Sequence, residues 1–409
     1  MLAVLAASVL SQVAGEAVAR DTFLSDPGGQ SRLLIKEMFR RINPPKLSPK
    51  RFGPDRQSWM FEWITSGYGL VGGDTKQFEL RFRIYNQERK DEGDVSPQIA
   101  AMLLRMWQMN VDQLRLEHAE QFNRRIVDVY VCYGGKAGGE QLFDVDRQMN
   151  PQTKVNTIYF YDLRSFKDPL EMAREVAHEY GHATLPAVGF GEPEGLVPVK
   201  PPVANPPGVK PVPATSGVKK AKPVAVQAAP MPAPPKPAPE YWANGILGER
   251  LYLMWIRDGM QANLLKPADA MGVTKEQLDK WLVENVEKGV LLASQKPPSK
   301  ALLGRMDAVG MEEYHRLALY MATILPNAVF ARSLKLTGST EAVDYPQGIL
   351  LATEEPEKLE LTIPGYLAGK TLWVPIGKGV LDGAKELERR DGWAKILPAG
   401  GPVSWKNAR

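Results

Sequence analysis

Residues His178-Glu179-Tyr180-Gly181-His182 have the spacing in this chain best suited to chemistry. On a helix, side chains at i and i+4 stand one above the other, so two imidazoles spaced this way can reach one metal ion. The carboxylate beside them, Glu179, is then placed to take a proton from a metal-bound water. The chain holds four histidines in 409 residues, and two of them are in this run. The bland alternative is a surface helix with two solvated histidines.

The flanking residues favour a helix that presents this face. Asp168 suits the N-cap, Pro169 the first helical position, and Glu171 the capping-box spacing, while Pro186 ends the helix. Leu170, Ala173, Ala177, Tyr180 and Thr184 form a stripe fit for a core. Glu171, Glu175, His178 and His182 form a second stripe fit for a cleft. Gly181 costs the helix about 1 kcal/mol against alanine, and its small size allows another segment to come close.

Upstream, Gln30 to Arg41 reads as a short amphipathic helix. Gln77 to Tyr85 alternates Phe78, Leu80, Phe82 and Ile84 with polar residues, as a half-buried strand does. Pro97 to His118 places Ile99, Met102, Leu103, Met106, Trp107 and Leu114 at helical spacing, which reads as core. Arg125 to Tyr133 is a second strand, Gly134 to Gly139 a turn, and Thr157 to Tyr161 a third strand. The expected class is α+β: strands and helices through Leu185, then a helical subdomain over 240–325 and a small β-rich unit over 326–409.

Together with the His-Glu-x-x-His run, this order of elements over 77–185 resembles the zincin metallopeptidases of the gluzincin type. The resemblance implies a sheet whose edge strand holds an extended peptide, with Thr157 to Tyr161 as the segment bordering that cleft. It also implies one zinc ion per chain, a peptide or protein substrate, and a third ligand from a later helix. A metzincin pattern is excluded, because Leu185 and Val188 stand where its glycine and third histidine belong. The segment from Trp242 to Glu249 resembles the ligand helix, with Asn244 where a glutamate beside Gly245 is expected. Glu249, the first carboxylate inside that helix, is the expected third ligand, with Glu240 and Asn244 as rivals. Tyr252, Tyr314 and His315 are candidate transition-state donors on residue type alone, although His315 reads more simply as a surface histidine. The implied activity is zinc-dependent peptide hydrolysis with Glu179 as general base. The competing reading is a catalytically weak or inactive zincin-like scaffold.

Composition is that of an ordinary globular protein, 44% hydrophobic and 24% charged. The net charge of +4 is no sign of nucleic-acid binding. The stretch 195–239, rich in proline and alanine, carries six lysines and no acid, so the remainder is slightly acidic. That stretch is expected to be an extended insertion between the metal helix and the ligand helix. The single cysteine, Cys132, rules out an intramolecular disulfide and reads as a buried apolar residue in a strand. Apolar Leu2 to Leu10, followed by Ala17-Val18-Ala19, predicts an export signal over 1–19 and a secreted or periplasmic protein. No later run is long and apolar enough to span a bilayer. After Pro326, short alternating runs at 328–336, 348–353, 358–363 and 371–376 read as strands, and 380–390 as a helix.

Overall fold

Along Phe78–Gln87 the side chains of Phe82 and Ile84 are fully buried, as the alternation predicts. Val127–Cys132 is buried at every position, which marks a strand covered on both faces. The computed structural model describes residues 22–25, 31–39, 64–74, 78–87, 95–114, 127–132, 137–146, 150–186, 188, 243–302, 308–337 and 343–407. The expected export signal, the Pro-rich stretch and Glu240 lie outside the described residues. The chain divides into one unit of 1–190 with 242–409 and a second of 191–241.

Seven strands make a mixed sheet: β1 (Thr22–Ser25), β2 (Ser31–Phe39), β3 (Ile64–Asp74), β4 (Phe78–Gln87), β5 (Val127–Cys132), β6 (Gly138–Asp146) and β7 (Asn150–Tyr161). Their spatial order is β1-β2-β3-β4-β5-β7-β6. The first four pair antiparallel, β4, β5 and β7 run parallel, and β6 returns antiparallel on β7. Three expectations change here. Residues 31–39 form a strand rather than a helix, because pairing on both sides with β1 and β3 overrides local periodicity. Gly138 and Gly139 belong to a strand rather than a turn. The sheet edge beside the helices is β6, not the Thr157–Tyr161 segment, which sits between β5 and β6.

Helix α1 (Ser96–Met109) runs on into a π-turn at Asn110–Leu114 and links parallel β4 and β5. Its Ile99, Met102, Leu103 and Met106 are fully buried, so the methionines are core residues as expected. The metal-motif helix is α2 (Pro169–Thr184), and α3 spans Ala243–Gln261. Next come α4 (Lys275–Leu282), capped reciprocally by Thr274 and Gln277, then α5 (Lys288–Ser294) and α6 (Ala308–Ile324). The class is α+β.

The C-terminal region departs from the strand reading at its start. Residues 327–337 and 345–354 are helices α7 (Asn327–Thr337) and α8 (Tyr345–Glu354). The buried positions Val329, Phe330, Ser333, Leu334 and Thr337 recur at helical spacing, which a short apolar run hides. The expected strands at 358–363 and 371–376 are present as β8 (Lys358–Leu361) and β9 (Leu372–Pro375). Val380 to Arg390 is not a helix but β10 (Val380–Asp382) and β11 (Ala384–Arg390). With β12 (Trp393–Pro398) and β13 (Val403–Lys406) they form two three-stranded sheets, β10-β13-β8 and β11-β12-β9. Charges crowd β11 because it is an exposed edge, where they discourage pairing with other chains. The buried side chains of the sheet, the helices and these strands join in one core cluster. No described helix is long and apolar enough to cross a membrane.

Candidate metal centre

Asp168 caps α2 by accepting from the Leu170 N–H at 2.9 Å, and Pro169 follows it. The predicted core stripe is buried at Ala173, Ala177, Tyr180 and Thr184, and Leu170 packs at its margin. Full burial of a side chain the size of Tyr180 stabilises the helix by roughly 2 kcal/mol. Gly181 does admit a close neighbour. A Cβ there would lie 2.5 Å from the Asn244 carbonyl oxygen, and one on Gly248 would lie 2.4 Å from the Gly181 Cα. The two glycines bring α2 and α3 together backbone to backbone. At that separation, short polar side chains on α3 reach the imidazoles of α2.

The ring nitrogens Nε2 of His178 and His182 stand 3.2 Å apart. Each ring is held from its other nitrogen. Asn244 places Oδ1 2.9 Å from Nδ1 of His182, while its Nδ2 donates to the Leu185 carbonyl at 3.2 Å. The carbonyl fixes which end of the amide is nitrogen, so Oδ1 must accept from Nδ1–H, leaving a lone pair on Nε2. Glu249 sets one oxygen 3.5 Å from Nδ1 of His178 and the other 2.6 Å from Nε of Arg174. Burial pushes the Glu249 carboxyl up, but His178 and Arg174 outweigh it and hold it below the ordinary range. It is therefore an anion facing the ring. At this distance the two Nε2 atoms can be joined by a proton carried on one ring or by a metal ion bound to both. Two nitrogens bound tetrahedrally to zinc at ordinary bond lengths would be about 3.3 Å apart. The histidine pair fits such an ion, with carboxylate and amide partners orienting it as metal-binding imidazoles require.

Glu179 is buried between α2 and the edge strand. A Cβ on Gly139 of β6 would lie 2.6 Å from Glu179 Cγ, so only glycine lets the strand lie over this carboxylate. One turn earlier, burial raises the Glu175 carboxyl above its ordinary range, opposed by His178 and by the Gly139 N–H. Asn156 of β7 donates to the Ala183 carbonyl at 2.7 Å and accepts from Gln141 of β6 at 2.8 Å. It ties the last turn of α2 to the sheet edge.

Several expected roles change. Glu249 does not join the two Nε2 atoms; it stands at the nitrogen of His178 that faces away from His182. Among the described residues no three His, Cys, Asp or Glu side chains are grouped to hold an ion. Asn244 likewise orients His182 from its Nδ1 side rather than acting as a ligand. The Tyr252 hydroxyl lies buried between Thr184 Oγ1 (2.7 Å) and Asn110 Oδ1 (2.9 Å), so it is a core hydrogen-bond bridge. Tyr314 is buried edge-on against Tyr345. His315 is wholly buried rather than at the surface, with Nε2 2.9 Å from the Ala243 carbonyl. Cys132 is buried as expected, and that burial, with Glu140 nearby, pushes its thiol up. The sequence reading missed Arg174, Asn156, Gly139 and Gly248. Only Gly248 left a local trace, as a second small residue three after Gly245.

No family model matches this chain, no curated protein matches it, and no solved structure matches it.

Proposed function

We propose that this chain is a zinc-dependent peptide hydrolase of zincin type, with His178 and His182 as metal ligands and Glu179 as general base. The observation that carries the reading is the 3.2 Å approach of two Nε2 atoms whose rings are each gripped from Nδ1. Zinc held there would supply a polarised carbonyl and a water of lowered pKa. Asn244 and Glu249 hold the rings in the tautomer that keeps Nε2 available. Glu179 accepts the proton of the attacking water and hands it to the leaving amine nitrogen. Strand β6, at the sheet edge over Glu179, offers backbone groups to an extended chain, which favours a peptide as substrate. An exported location belongs to the same reading.

A binding scaffold is the second reading. It is favoured by the place of Glu249, whose carboxylate stands at the outer nitrogen of His178 and not beside the two Nε2 atoms. The purified chain is tested for zinc by elemental analysis and for cleavage of a mixed peptide library. One zinc per chain is expected, with Glu179→Gln keeping the metal and losing about 100-fold or more of the hydrolysis. Zinc at background level would leave only the scaffold, and full activity in Glu179→Gln would remove the glutamate's role.

A further inference from the structure

We infer that His315, wholly buried on α6, is a positioning residue of the metal centre, acting through the first turn of α3. The inference rests on the metal-centre reading and extends it to a residue outside the motif. Asn244 can orient His182 only if the start of α3 is fixed relative to the end of α2. That start is clamped at one residue, Ala243. Its N–H donates to the Val188 carbonyl at 2.9 Å, on the chain leaving α2. Its carbonyl accepts from Nε2–H of His315 at 2.9 Å. A helix of this kind leaves its first N–H groups without partners in its own backbone, so the clamp must come from elsewhere. Asn244 is the next residue, and its amide spans His182 and Leu185.

A carboxylate faces the other side of the His315 ring. Its Nδ1 faces Glu312 Oε2 at 3.7 Å, and Glu312 also pairs with Arg250 on α3 at 3.2 Å and Arg316 at 3.2 Å. The group therefore fastens α6 to the first two turns of α3. Any buried histidine pairs its ring nitrogens; what ties this one to the centre is that its partner, Ala243, is the residue next to Asn244. The path runs from His315 to Ala243 to Asn244 to Nδ1 of His182, and each step is a hydrogen bond or a single peptide unit.

The test compares two amides in the full chain. In His315→Gln the side-chain nitrogen can sit where Nε2 sits, whereas in His315→Asn it stops near Nδ1 and cannot reach Ala243. Zinc affinity is read by competition with a chromophoric chelator, and the cobalt(II) spectrum reports ligand geometry. His315→Asn is expected to bind zinc about 10-fold more weakly with an altered cobalt spectrum, and His315→Gln to stay within about 3-fold of the parent chain. Equal affinity in all three chains, or equal loss in both variants, overturns the inference. If His315→Asn does not fold, Glu312→Gln is measured in its place, and parental zinc affinity there overturns it too. A parent chain that binds no zinc defeats the metal-centre reading itself, a separate outcome.

Discussion

The two ends of α3 carry polar residues in similar number and put them to different use. Its first half meets α2 at Gly181 and Gly248, and there Asn244 and Glu249 point at two imidazoles on the neighbouring helix. Its second half lines a cavity of about 1000 Å³, with Met254, Trp255, Arg257 and Asp258 in the wall. Yet the cations in that wall are occupied by near neighbours. Arg257 faces Asp258, Asp279 and Glu287, and Arg105 faces Asp269. The larger space holds charges that cancel locally, whereas the tight helix crossing brings two imidazole Nε2 atoms within 3.2 Å of each other. Volume alone would favour the cavity; the partners of each polar atom favour the helix crossing, which is why the proposed centre is placed there.

Filling the crossing should break this contrast most severely. Gly248→Ala drives a methyl into the Gly181 backbone. The expected cost is about 2–3 kcal/mol of stability, since a backbone cannot turn aside as a flexible side chain can. Denaturant titration measures it, and an unchanged midpoint would mean that the helices do not approach as described. Zinc binding should weaken in the same variant.

Next in size is the loss of ring orientation. Asn244→Ala should weaken zinc binding by about 10-fold to 100-fold. Arg257→Met, at the far end of the same helix, should leave zinc affinity within about 2-fold, because no metal-binding group depends on it. Chelator competition on both chains tests the pair. Equal losses would show that α3 affects the centre only through global stability.

The smallest expected effect is on acid stability. Burial raises the Glu312 carboxyl, but His315, Arg250 and Arg316 outweigh it and hold it at about 2. Its folded pKa thus lies below the unfolded value, and the unfolded chain binds more protons in between. The contribution is whole above the ordinary carboxylate value of 4.5 and is lost as pH falls toward about 2. Urea midpoints at about pH 3 and about pH 5 should therefore differ less in Glu312→Gln than in the parent chain. An identical pH slope in both would sever Glu312 from the α3–α6 clamp. The carboxylate is about a third exposed, so the shift will be modest.

Where a signal repeated every few residues, the sequence was a sound guide. The cap at Asp168, the apolar stripe of α2 and the buried face of α1 were all readable, because each is set by neighbours within one or two helical turns. The same local reading failed at β2, α7, α8 and β11. There a short run fits either period, and the choice is made by what it packs or pairs with.

The candidate site divides along the same line. His178, Glu179 and His182 share one helix, so their common face follows from helical geometry before any contact is known. The partners of their rings follow from no such rule. Asn244 is 62 residues from His182, and Asn156 is 27 from Ala183. Gly181 hinted at a close neighbour, but no spacing indicates that Glu249 would meet the far nitrogen of His178 instead of joining Nε2. Local sequence set the motif and its helix. The tertiary structure alone assigned the outer partners, because helix approach and side-chain reach are properties of two segments packed together, and neither segment carries them by itself.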